Sequence, residues 1–120
     1  MRYVLQIYSP DGYWDSLGTK ERDALYAEYF AYTRDVSEQG VLVGSHELEP
    51  AATATSVRVR EGDILVTDGP FAETKERLGG YYVIDVESLD EALEWAARIP
   101  SARHGTIEIR PVVMHDEEVA

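Results

Sequence analysis

The hydrophobic period turns helical only twice along this 120-residue chain, and that constrains its fold more than any other feature. Tyr3-Val4-Leu5-Gln6-Ile7-Tyr8 is β-rich, and Ser9-Pro10-Asp11-Gly12 supplies turn chemistry directly after it. From about Lys20 to Gln39 the pattern is helical: Leu25, Tyr29, Tyr32 and Val36 fall on one face, with Ala24, Ala27 and Ala31 beside them. Thr19 is the expected N-cap, and Gly40 stands where a helix C-cap belongs. A strand from Val41 to about Glu47 follows. Val57–Arg60 and Ile64–Thr67 then flank Glu61-Gly62-Asp63 as a hairpin. Gly79-Gly80 leads into a strand from Tyr81 to Val86. Ser88-Leu89-Asp90-Glu91 is a capping box, in which the Ser hydroxyl accepts from the N3 amide. It opens the second helix, with Leu89, Ala92, Leu93, Ala96 and Ile99 inward and Pro100 as its stop. Ile107 to Val113 is the last strand.

The order is β-α-β, hairpin, β-α-β, an α+β ferredoxin-like plan with an antiparallel sheet and an added hairpin. Right-handed crossovers put both helices on one sheet face. The other face should alternate with polar residues if water covers it. Instead Val4 and Tyr8 oppose Leu5 and Ile7, and Tyr81 and Val83 oppose Tyr82 and Ile84. A bare apolar face implies a homodimer packed sheet to sheet. Glu108 and Arg110 alternate with Ile107 and Ile109, so they either border a pocket at that interface or are ordinary edge residues. The expected organisation is one domain over residues 1–114 and an acidic tail over 115–120.

A net charge of −12 argues against a nucleic-acid surface, which needs clustered Lys and Arg, and against an anionic membrane. No cysteine is present, so disulfides, thiol nucleophiles and Cys-based zinc sites are excluded. No signal-peptide core and no run of 18 apolar residues occurs, and the cytoplasm is the expected location. His46, Glu47 and Glu49, and the tail residues His115, Asp116 and Glu117, match no metal-ligand motif, so no metal or cofactor is expected.

The chemistry-bearing candidate is Asp68-Gly69-Pro70-Phe71. Asp68 ends an apolar strand, Gly69 permits unusual backbone angles and Pro70 fixes the exit. A carboxylate in a rigid turn beside Phe71 suits general acid/base work, and the same residues also make a purely structural turn. His104, just before the last strand, is a candidate partner titrating near neutrality. Arg103 and Arg110 are candidates for holding a substrate carboxylate, and Tyr8 for lining the pocket.

The run LVTDGPFAETKERLGGYYVIDVESLDEALEWAARIPSARHGTIEIRPV resembles the YCII-related family, specifically its DGPF branch, as does GVLVGSHELEPAATATSVRVREGDILVTDGPF before it. The resemblance implies a dimeric α/β barrel and a role for Asp68, Gly69, Pro70 and Phe71, with His104 in the matching ARHG segment. It also implies sigma-factor neighbours for some members and a His–Asp pair in the better-studied ones. The first helix here holds no His, and Glu28 falls near that position, making a Glu28–Asp68 carboxylate pair the alternative. The expected function is cofactor-independent acid/base catalysis on a small molecule in a dimer pocket centred on Asp68. The alternative is a ligand-binding or sigma-factor-associated accessory protein.

Overall fold

In the computed structural model, which describes residues 1–115, six strands and three α-helices follow in the order β1 (Arg2–Pro10), α1 (Tyr13–Ser16), α2 (Thr19–Glu38), β2 (Leu42–Glu47), β3 (Thr55–Arg60), β4 (Asp63–Asp68), β5 (Glu76–Asp85), α3 (Leu89–Ala97) and β6 (Thr106–Pro111). Short 3₁₀ turns occupy Ala51–Thr53 and Pro100–Arg103. Four strands form one antiparallel sheet in the order β2-β5-β1-β6, and β3 and β4 pair only with each other. This is the expected α+β, ferredoxin-like plan, with the hairpin standing off the main sheet.

The core follows from period-2 alternation in β1. Tyr3, Leu5 and Ile7 face α2 and α3 and are buried, and Val4, Gln6 and Tyr8 point the other way and are half-buried. Tyr82 and Ile84 of β5 join them, and the helices supply Tyr32, Val36, Ala92 and Ala96. The stripe Leu25, Tyr29, Tyr32, Val36 is the one read from the helical period. Tyr32 also donates to the Trp95 carbonyl at 2.8 Å, which ties α2 to α3 through a buried hydroxyl that would otherwise lack a partner.

Local details differ from the expectations. Gly18, not Thr19, is the N-cap of α2: its carbonyl accepts from the Arg22 amide at 2.9 Å, and Thr19 is already helical. Ser88 caps α3 as expected, accepting from the Glu91 amide at 3.2 Å. Leu89 and Leu93 are about half exposed, because the sheet-facing stripe of this nine-residue helix is Ala92 and Ala96, continued by Ile99 just past its end, and the leucines flank it. β5 starts at Glu76, so Gly79-Gly80 lies inside a strand. The reason is steric: a Cβ at Gly80 would lie 2.8 Å from the His46 carbonyl oxygen of the neighbouring β2. β1 runs on through Ser9 and Pro10, paired with Arg77 and Glu76, so the turn begins at Asp11. β6 ends at Pro111, short of Val113. No helix among the described residues is long and apolar enough to cross a membrane.

Candidate functional site

A cavity of about 810 Å³ lies between the N-terminal half of α2, the end of β1, α1 and the β2–β5 edge. Its walls are aromatic: Tyr13, Trp14, Tyr26, Tyr29 and Phe30 from the helices, and Tyr82 from the inward face of β5. Trp14 packs on Tyr26 with ring centroids 5.0 Å apart. A cavity of this size, mostly apolar with a few convergent polar groups, has the form of a small-molecule site.

The polar groups come in pairs. Ser9 continues the inward face of β1 by two residues beyond Ile7, which makes it a buried hydroxyl at the cavity wall. Its Oγ lies 3.4 Å from His104 Nε2. His104 stacks on Tyr13 with centroids 3.7 Å apart and rings within 12° of parallel. Burial, and after it the Arg103 charge, lower the His104 pKa below its usual value, so the ring is held neutral. Tyr29 OH is hydrogen-bonded to Ser101 Oγ, a fully buried hydroxyl, and burial raises the Tyr29 pKa to about 12. Tyr26 OH donates to Glu47 Oε2 at 2.7 Å, and this bond is the first cause of its raised pKa. His46 Nδ1 and Tyr81 OH lie 2.9 Å apart.

The segment carrying His104 is fixed by a close approach. A Cβ at Gly105 would lie 2.0 Å from the Tyr8 carbonyl oxygen, so only glycine lets the chain pass under β1 and present His104 to Ser9. The 3₁₀ turn Pro100–Arg103 before it closes with Gly105 N–H donating to Ser101 C=O at 2.7 Å.

The residues singled out from the sequence fall in three places. Glu28 and Arg103 form an exposed ion pair with each other, outside the cavity lining. Asp68 ends β4 on the hairpin, exposed and also outside that lining. Gly69 takes φ +90°, its N–H donates to the Ala54 carbonyl at 2.6 Å, and its own carbonyl accepts from Ser56 Oγ at 2.9 Å, so the turn fastens the base of the hairpin. Pro70 and Phe71 are exposed, Phe71 at 77%. Tyr8 and Arg110 lie on the bare face of the sheet. Within one chain, then, Asp68, His104 and Glu28 do not converge on the cavity. No three His, Asp or Glu side chains cluster as a metal site among the described residues, and Asp116 and Glu117 lie outside them.

Residues 1–116 match the YCII-related domain. The chain belongs to the YCII-related family. An uncharacterised protein of Rhizobium meliloti (strain 1021) is similar to it, 35% identical over 117 residues that cover 96% of this chain and 94% of that one. The family match spans all six strands, so the YCII-related domain contains both the cavity and the hairpin.

Two cavity residues of this YCII-related chain escaped the sequence reading although a signal was present. Ser9 follows Tyr3, Leu5 and Ile7 at the same period of two, but Ser-Pro-Asp-Gly reads as a turn and hides it. Arg22 precedes Leu25 by three on the apolar stripe of α2, and a cation in that position points into whatever the stripe lines.

Proposed function

We propose that this protein is a cofactor-independent enzyme that moves a proton on a small molecule bound in the aromatic cavity, with His104 as the base and Ser9 as the hydroxyl that carries its reach to the cavity wall. The observation that supports this most is the Ser9–His104 contact at that wall, with the imidazole kept neutral by burial. A neutral imidazole is competent to accept a proton near pH 7, and a serine between base and cavity relays it as hydroxyls do. Tyr13, stacked on the ring, fixes its plane.

Asp68 enters this reading through a second copy. Cross-strand pairing places Asp68 on the same hairpin face as Val57, Val59, Ile64 and Val66, whose exposures run from 60% to 70%. The bare face of the main sheet carries Val4, Tyr8, Tyr81 and Val83, half-buried, and Gln6, whose Oε1 is buried there with no hydrogen-bond partner. We propose a homodimer that covers these surfaces and takes Asp68 with them. The Asp68-Gly69-Pro70-Phe71 signature supports placing the chain in the DGPF branch of its family.

Solvent exchange tests the activity without knowing the substrate. A panel of small carbonyl acids incubated with the protein in D₂O is expected to show deuterium at an acidic C–H by NMR. His104→Gln should slow this by roughly 10²-fold, the usual range for one acid/base group. Binding with no exchange in any panel member would transfer the protein to the ligand-binding reading, and exchange at an unchanged rate in His104→Gln would remove His104 from the mechanism.

A further inference from the structure

The cavity of the proposed site contains a cation, Arg22, that no carboxylate among the described residues answers. Arg22 lines the cavity at the first turn of α2. Its Nη2 donates to the Trp14 carbonyl at 2.9 Å, which fixes the guanidinium plane against α1. Its Nε is buried and has no hydrogen-bond partner. No carboxylate lies within ion-pair distance of it among the described residues, in a chain with 23 Asp and Glu against 11 Lys and Arg. A buried charged donor without an acceptor is costly, and acids are abundant in this chain.

Arg77, the other arginine of the lining, has a different role. Its Nη1 donates to the Ala72 carbonyl at 2.5 Å, and its Nε and Nη2 lie 3.9 Å from Asp11 and Glu73 respectively. Its Nε, like that of Arg22, is buried without a hydrogen-bond partner, but two carboxylates stand within ion-pair distance of this guanidinium and none does so for Arg22 among the described residues. Glu47, another charge at the cavity, accepts from Tyr26 OH. The remaining acids of the lining, Asp15 and Glu49, are exposed and sit at its rim.

We infer that Arg22 binds the anionic end of the cavity's ligand, and that this ligand is a planar, unsaturated or aromatic compound with a single carboxylate. This rests on the reading of the cavity as a small-molecule site and adds the ligand's chemical class to it. The guanidinium supplies the fixed donor fork that a carboxylate matches. Tyr26, Trp14, Tyr29 and Phe30 supply flat apolar walls for the remainder. The acids around the rim disfavour a second negative group, so a monoanion fits where a dianion is repelled.

The experiment compares three probes that share one carbon skeleton, trans-cinnamate, cinnamyl alcohol and cinnamylamine, by calorimetry and by the shift of the Trp14 indole N–H resonance. The wild-type protein is expected to bind cinnamate about tenfold or more tighter than the alcohol, with the amine weakest. Arg22→Met is expected to lower cinnamate affinity to that of the alcohol, leave the alcohol unchanged, and so remove the discrimination. If acid and alcohol bind alike and both shift Trp14, the anion assignment is overturned and the cavity reading stands. If none of the three binds or moves Trp14, the cavity reading itself falls and this inference with it. Should Arg22→Met fail to fold, the acid-to-alcohol ratio in the wild-type protein decides alone.

Discussion

The four-stranded sheet and the β3–β4 hairpin are built from the same kinds of residue and end in opposite states. Leu5 and Ile84 are fully buried between sheet and helices, and Val57, Val59, Ile64 and Val66 make an apolar face that nothing among the described residues covers. The difference lies in what packs on each. β1 and β5 sit centrally and pair on both sides, with α2 and α3 across their inward face. β3 and β4 pair only with each other, and an isolated two-stranded hairpin is marginal in water. Alternation specifies which residues want burial, and only a facing surface decides whether they get it.

The largest expected contrast is therefore between core and hairpin truncations. Leu5→Ala removes a fully buried side chain and should cost ~2–5 kcal/mol in urea unfolding. Val57→Ala, 64% exposed, should cost under ~0.5 kcal/mol if the hairpin face stays open to water. A cost above ~1 kcal/mol at Val57, rising with protein concentration, would show that a second copy covers the face, because stability linked to association depends on concentration.

Next comes the buried hydroxyl pair beneath the cavity. Ser101→Ala leaves Tyr29 OH, whose pKa burial has raised to about 12, without its partner. An orphaned buried hydroxyl costs ~1–3 kcal/mol, so the same unfolding assay should fall between the Leu5 and Val57 results. Tyr29→Phe in addition should recover part of the loss, because removing both partners is cheaper than removing one. If the double variant is worse than the single, the pair is not the source of the stability.

The main sheet was legible in the sequence because its signals are local and redundant. β1, α2 and α3 each announce themselves by period, and the hairpin strands were read to within two residues at either end. α1 was missed because four residues of Tyr-Trp-Asp-Ser carry no period. Gly79-Gly80 was read as a strand entrance because the close approach of β2 that makes Gly80 necessary is a tertiary fact. The site was less legible for the same reason. Asp68, His104 and Glu28 are each plausible by residue type, but pairing is decided by where the chain returns, and it returns Arg103 to Glu28 and His104 to Ser9.

The hairpin's lysine variant sharpens the comparison with little expected effect on the isolated fold. Val57→Lys with Ile64→Lys places two charges on the exposed face, which a single chain tolerates within about 0.5 kcal/mol. In the proposed dimer the same charges would be desolvated without partners, so sedimentation should show a shift from dimer to monomer. Asp68→Asn tests the same face more gently. It should leave unfolding unchanged in a monomer, and a loss of ligand exchange with the fold intact would support Asp68 acting across the interface. Unchanged sedimentation in the lysine variant would mean that the hairpin face lies outside any dimer contact.

The smallest effect expected is the pH response of His104, and its sign is definite. The folded-state pKa lies below the unfolded value of about 6.5, since burial and Arg103 disfavour the imidazolium. Between that unfolded value and the lower folded one, the unfolded chain holds more protons on this residue than the folded chain does. Stability from His104 is therefore fully present above the unfolded pKa and is lost as pH falls through the window toward the folded pKa. His104→Gln should flatten the fall of the urea midpoint over that window relative to the wild-type protein. The carboxylates contribute equally to both and cancel in the difference. An NMR titration of the ring should place its midpoint below that of an unfolded-state reference. A midpoint at or above the reference would show that the ring is solvated, and the Ser9 contact would then give no neutral base at the cavity wall.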